Sequence, residues 1–301
     1  MRAGRGQRVS RPRPLARRLQ WRLGPLATEL ERATVPVVDH LGLLGEAPDV
    51  IHGHHSLETM AAVAHFPGVS AVFVCHDWAA WHDTPPRHPR IRRYVAVDDT
   101  CRDRLLCKHA IAAEKIDVLH NAVDLRRFHA RGPLPERPRK ALLFSNYVAN
   151  GPQLRAVKKA CAELGITLDA VGLKLGGGTA SPETILGKYD LIFAKARCAW
   201  EALATGVAVV VCDAGGVGQL VTTAQLEHFR RCNFGRRLLQ TPVRVDAVKQ
   251  QILRYDPVDA TEVSRQIRQT ASLDLLEHLW NTLQMATRSG QDEAIGDPVS
   301  F

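Results

Sequence analysis

The chain alternates short apolar runs with amphipathic stretches. Val69 to Cys75 is an apolar run of small and branched residues and predicts a buried strand. Just before it, Leu57, Met60, Ala61 and Ala64 recur at helical spacing and predict a helix over 57–65. Further strands are predicted at 35–38, 50–51, 94–97 and 116–119, with a helix from Asp99 or Thr100 to about 111. Residues 129–140 hold three prolines and read as a linker. The rhythm then resumes, with strands at 141–145 and 168–171, a helix at 153–164 and a Ser181-Pro182 helix start running to 186. Residues 190–218 are the densest stretch. A strand over 190–194 meets a basic turn, a helix over 198–205 stops at Gly206, and a strand over 208–212 runs into a loop holding Gly215, Gly216 and Gly218. Beyond it the pattern is helical over 223–232, 245–254, 259–270 and 272–287. Strand–helix alternation implies parallel strands with right-handed crossovers. Two doubly wound α/β domains are therefore expected, at 33–134 and 135–288. A basic extension, 1–32, is expected to be disordered over 1–14, and 289–301 to form a frayed tail.

Composition narrows the class. The 301 residues are 45% hydrophobic and 24% charged, the balance of a chain that buries real cores. No apolar run approaches the roughly 20 residues of a membrane span, and the Arg-rich start lacks the apolar core of a secretory signal. The seven cysteines are scattered, with no C-x-x-C pair, so neither a disulfide framework nor a cysteine zinc site is indicated. A reducing cytoplasm is expected. The net charge is +9, but residues 1–32 carry nine Arg against two Glu. The rest, with 31 basic and 29 acidic side chains, is nearly neutral, which argues against a nucleic-acid-binding domain. The basic segment suits either a solvated extension or peripheral contact with an anionic membrane at its inner face.

Candidate chemistry falls where parallel sheets bind ligands, beyond the carboxyl ends of their strands. Lys195 and Arg197 stand at the start of the helix over 198–205, where free N–H groups and the helix dipole favour a phosphate. Glu201 lies one turn further in, placed to accept from the hydroxyls of a ribose. It sits in the apolar stretch CAWEALA, where an unpaired carboxylate is costly. Gly215, Gly216 and Gly218 are read either as a loop facing phosphates or as a plain tight turn. This points to a nucleotide-sugar donor site. In the first half His52, His54 and His55 cluster at one strand end and His76 stands at the next. They can line one crevice with His76 toward a donor sugar, bind zinc or nickel, or serve packing.

Several of these segments together resemble the family 4 glycosyltransferases, enzymes of the GT-B fold. DVIHGHHS followed by AVFVCHD resembles that family's pair of N-domain strands, the second ending in histidine. VLHNAVDLRRF resembles its hinge-entry motif: Asn121, Val123, Asp124 and Phe128 match, whereas His120 and Ala122 depart. EALATGVAVVV with the following glycines resembles the donor-site helix and strand. The likeness covers roughly residues 35–290. It implies two Rossmann-like parallel-sheet domains facing a crevice and a retaining hexosyl-type transfer from a nucleotide sugar, without a cofactor or required metal. The acceptor would be a glycan, a lipid-linked glycan or a small molecule. Glu201 matches the second glutamate of the family's E-x7-E pattern, which holds the donor ribose. His76 matches the histidine near the donor sugar, and Lys195 and Arg197 are phosphate candidates by position.

Two departures raise rival readings. The position eight before Glu201 is Phe193 rather than glutamate. The family's opening strand, glycine-rich loop and helix find no match in residues 1–32, so the N-terminal domain is expected to be incomplete. These features suit a truncated or degenerate relative that binds a nucleotide sugar or a partner without catalysis. A third reading is a zinc hydrolase built on the His52 cluster.

Overall fold

The computed structural model describes residues 18–19, 25–32, 34–179 and 181–289. The expected disorder over 1–14 and the tail beyond Ser289 lie outside them. The described residues begin with a small β–α–β unit. Strand β1 (Arg18–Leu19) pairs in parallel with β2 (Val37–Val38) across helix α1 (Pro25–Arg32). A strand is therefore present in the segment where none was expected.

The N-terminal sheet follows as β3 (Ile51–Gly53), helix α2 (Ser56–His65), β4 (Ala71–Cys75), β5 (Ile91–Ala96), helix α3 (Asp99–Asp103) and β6 (Ile116–Val118). Its order is β3-β4-β5-β6, all parallel. Every residue of β4 is buried, as a central strand covered on both faces requires. Asp98 caps α3 by accepting from Cys101 N, which fixes where that helix starts. Between β5 and β6, Arg93 makes a buried bidentate pair with Asp117 at 2.5 and 2.7 Å. Its third nitrogen donates to the Glu114 carbonyl, so the pair is fully satisfied inside the sheet.

The C-terminal sheet contains β7 (Lys140–Phe144), helix α4 (Pro152–Glu163), β8 (Thr167–Val171), β9 (Leu191–Ala194), helix α5 (Arg197–Thr205), β10 (Ala208–Asp213) and β11 (Gly216–Leu220). Its order is β11-β10-β9-β7-β8. All pairings are parallel except β10 with β11. Gly206 closes α5 in a left-handed conformation, φ 90°. The expected helix at Ser181 is instead two single 3-10 turns, Pro182–Thr184 and Leu186–Lys188, with no side-chain cap from Ser181. The proline-rich linker is tied down: Arg131 N donates to the Thr205 carbonyl, its guanidinium reaches Tyr189 O and Asp190, and Leu134 is buried.

Among the described residues, β11 is followed by the helices α6 (Leu226–Arg231), α7 (Val245–Ile252), α8 (Pro257–Thr270) and α9 (Leu273–Ser289). The last follows the C-terminal domain in sequence yet packs into the N-terminal core. Leu276, Leu279, Trp280 and Leu283 share one face, and that face joins the cluster of Phe73, Val74 and Leu105. Ion pairs Arg231–Asp99 (2.8 Å) and Arg237–Asp103 (2.6 Å) also join the domains. None of the helices among the described residues is long and apolar enough to cross a membrane.

Removing one partner of the Arg93–Asp117 pair strands a buried charge. Asp117→Ala is expected to lower stability by about 3–5 kcal/mol, read by urea denaturation, with the N-terminal domain losing its cooperative transition first.

Candidate functional site

The carboxyl ends of β7, β9 and β10 meet at one point, and the sequence places a polar residue at or just after each. Ser145 follows β7, Lys195 follows β9 and Asp213 ends β10. Asp213 is buried; its Oδ1 accepts from Ser145 Oγ at 2.5 Å and its Oδ2 lies 2.5 Å from Lys195 Nζ. The Lys195 ammonium also sits 4.7 Å from the centroid of the Tyr147 ring. A cavity of about 500 Å³ opens here, lined by Tyr147, Lys195, Asp213, Ala214, Gly215, Arg236 and Leu239. The cavity therefore combines two cations, one aromatic face and one buried carboxylate that already holds one of the cations. The sequence pattern points to Lys195 and Gly215. It misses Asp213, Ser145 and Tyr147, although the strand-end rule leads to the first two.

Arg197 and Glu201 lie outside this lining, on the first turns of α5. Glu201 is buried, and its Oε1 accepts from Arg197 Nε at 2.9 Å. Burial raises the Glu201 carboxyl above the ordinary glutamate range, against the pull of Arg197 and Arg127. Arg197 is itself 81% exposed, so solvent screens the pair and it contributes little stability. Arg127, from the VLHNAVDLRRF segment, bonds Glu183 at 2.8 Å and so stands over the same face. Phe193, where a second glutamate was sought, is wholly buried in β9. No side chain at that position reaches the cavity without leaving the core.

The glycines correct an expectation. Gly216 and Gly218 are not in a free loop; they belong to β11, paired with β10. A Cβ on Gly218 would meet the Leu238 carbonyl oxygen at 2.5 Å, and one on Gly216 the Thr241 oxygen at 2.8 Å. Both are glycine because the 238–241 backbone passes that close. Only Gly215 borders the cavity.

Around the start of α5 the backbone is strained. Ala196 (φ 51°), Asn233 (φ 53°) and Phe234 (φ 47°) all adopt positive φ without being glycine. They touch one another: Ala196 N donates to Phe234 O, while Asn233 Oδ1 accepts from Trp200 Nε1 at 2.7 Å and from Asn121 Nδ2 at 2.9 Å. Strain of this kind, held in place by several bonds, collects at functional sites.

On the N-terminal side the histidines form a stack rather than a ligand set. His52 stacks on His54 (centroids 4.6 Å apart) and lies 4.2 Å from Trp280 of α9, while His54 stacks on His76 at 5.0 Å. His54 Nδ1 and His76 Nε2 share a hydrogen bond of 2.7 Å, so one ring donates and the other accepts. Burial, with the neighbouring His76, pushes His52 down to about 4. Burial likewise lowers His76, against the pull of Asp83. His52, His54 and His55 do not converge as a metal triad. Among the described residues the three donors that do converge are His55, His82 and Asp83. Asp77, next to His76, accepts from Ala79 N and Ala80 N and feels Arg104 and Lys195. These offset the burial that would raise its carboxyl, and hold it below the ordinary aspartate range. Lys195 thus acts on a carboxylate of the N-terminal half, beside the ion pairs that join the domains.

Residues 4–127 match the model of Glycosyltransferase Family 4. The match starts at residue 4, so it includes the basic segment that the sequence pattern had set apart. No curated protein matches the chain in sequence. Among solved structures, a glycosyltransferase from Rickettsia africae ESF-5 superposes with a TM-score of 0.62 at 14% identity, covering 88% of each chain. The GtfA/B complex gives 0.55 at 14% identity, covering 87% of this chain and 60% of that one. The pneumococcal O-GlcNAc transferase GtfA, in complex with UDP and GlcNAc, gives 0.52 at 12% identity, covering 79% and 56%. At such identities the likeness to these structures is one of fold. The match over residues 4–127 and the architecture of the whole show a chain similar to glycosyltransferases in its first part and of GT-B fold throughout.

Two measurements test the site's energetics. Ala196→Gly is expected to stabilise the protein by about 1 kcal/mol, because strain of about 1–3 kcal/mol is relieved against a glycine entropy cost of about 0.5–1 kcal/mol; denaturant midpoints report it. His52 has a folded pKa of about 4 against its ordinary 6.5. The unfolded chain therefore binds the proton first as pH falls. Its contribution is full above about pH 6.5 and is lost toward pH 4, a change of about 3 kcal/mol. Urea midpoints across that range should fall for the native chain and flatten in His52→Phe.

Proposed function

We propose that the chain is a glycosyltransferase that binds a nucleotide sugar in the crevice and transfers the sugar with retention, without a metal on the diphosphate. The observation that carries the reading is the cluster at the carboxyl ends of the C-terminal strands. Lys195 and Arg236 line the cavity, and α5 starts two residues after Lys195, with Glu201 buried one turn in. Lys195 and Arg236 would take the diphosphate, with Arg197 at its outer edge, and Glu201 would accept from the ribose hydroxyls. Tyr147 offers a ring face at the cavity rim. Breaking the bond from the anomeric carbon to the diphosphate oxygen leaves negative charge on the diphosphate, and preorganised cations there lower the barrier. Lys195 would exchange part of its bond to Asp213 for the phosphate. His76, kept neutral by burial, would exchange His54 for a sugar hydroxyl. The pneumococcal relative in fold was solved with UDP and GlcNAc, so UDP-GlcNAc is the first donor to try. A glycan or lipid-linked acceptor suits the basic segment, which would hold this cytoplasmic protein against an anionic inner membrane face.

A charge-assisted hydrogen bond contributes about 1.5–3 kcal/mol. Glu201→Ala is therefore expected to weaken nucleotide binding roughly 10- to 150-fold, measured by calorimetry with UDP, GDP and ADP. Unchanged affinity in a folded variant would remove Glu201 from the site. The buried Phe193 favours one rival, a relative that binds the nucleotide sugar without transferring it. Release of free sugar or transfer to any acceptor by the native chain, abolished in Lys195→Ala, excludes that rival.

A further inference from the structure

The loop after β4 holds a second constellation that donor binding does not use. His55 stands just ahead of α2 and makes no side-chain capping bond. His82 and Asp83 lie on the single 3-10 turn Trp81–Asp83. One donor atom from each of the three residues lies within 4.8 Å of the others. The two imidazoles meet edge to face, centroids 4.7 Å apart, and Trp81 backs His82 at 5.7 Å. Glu58 Oε1, 3.8 Å from His55 Nδ1, adds a second carboxylate at the margin.

Asp83 supplies the independent observation. It is only 1% exposed. Its Oδ2 accepts from His76 N at 3.0 Å, but its buried Oδ1 has no hydrogen-bond partner. An unmet buried acceptor is costly, more so when charged, and such groups mark missing ions or waters. Here the orphan oxygen belongs to the same side chain that meets two imidazoles.

We infer that His55, His82 and Asp83 form a binding site for a divalent first-row transition ion of the zinc type. Two imidazoles and one carboxylate suit zinc, cobalt or nickel and not magnesium, which prefers an all-oxygen shell. Zinc bonds of about 2.0–2.2 Å draw tetrahedral ligands to about 3.4 Å apart. The exposed His55 and half-buried His82 have room to turn inward by the roughly one ångström this requires. Three protein ligands leave a fourth position open to water. Because Asp83 also holds the His76 backbone, the ion would fix the loop from His76 to Asp83. Its role toward His76 is positioning.

The test reads metal alone and stands apart from the donor site. The full chain, purified without a histidine tag and stripped with chelator, is titrated with Zn2+ by calorimetry. One equivalent should bind with a Kd in the micromolar range or below, and Mg2+ should not bind. His82→Ala and His55→Ala should each weaken Zn2+ binding more than tenfold, while His54→Ala leaves it unchanged. The exposed His55 keeps the test sound if His82→Ala fails to fold. Co2+ in place of Zn2+ should give visible absorption bands that vanish in either variant. Absence of saturable Zn2+ binding overturns the proposal. So does undiminished affinity, relative to the native chain, in the His55 and His82 variants, or loss in His54→Ala alone, which would move the ion to the stacked histidines.

Discussion

A carboxylate buried at the end of a parallel strand must be neutralised, and Asp213 meets that demand with Ser145 on one oxygen and Lys195 on the other. These three residues end or follow three different strands of one sheet. Their mutual bonding fixes the register of those ends and the mouth of the cavity together. It also holds the Lys195 ammonium in a defined place before any ligand arrives. Preorganised charge of this kind costs no reorganisation when an anion develops.

The same corner stores strain. Ala196, between Lys195 and α5, is held at positive φ by Phe234, whose own loop is held by Asn233, Trp200 and Asn121. Asn121 comes from the N-terminal half of the chain, so the geometry of the start of α5 depends on both domains. The two ion pairs from Asp99 and Asp103 cross nearby and are partly exposed; screening makes each weak. The stronger tie is α9, which inserts an apolar face into the N-terminal core and lays Trp280 against His52. The histidine stack therefore sits on a helix that follows the C-terminal domain in the chain. A shift of one domain on the other would be felt at His52 and passed along the stack to His76.

The N-terminal crevice wall has two layers of histidine chemistry. His52, His54 and His76 stack, and burial disfavours charge on His52 and His76. His55 and His82 face the other way, toward Asp83. Alternation along an extended segment accounts for the split: His52 and His54 share a side, and His55 takes the opposite one.

Apolar periodicity was enough to place the parallel strands β2 to β10, helix α5 within a residue or two, and the plan of two parallel sheets, but not β1 or β11. Those features are local: they follow from which faces must be buried and from where glycine and proline interrupt the pattern. Glu201 was legible because a lone carboxylate in a helix of small apolar residues must meet a cation or a ligand to offset its desolvation. Gly216 and Gly218 were misjudged because their reason lies in the 238–241 backbone, some twenty residues away in sequence. The Ser145–Asp213–Lys195 cluster, the strained corner and the return of α9 were equally out of reach. So was the pairing of His55 with His82 and Asp83. Each joins residues far apart in the chain, and only the packed sheets bring their side chains within bonding distance.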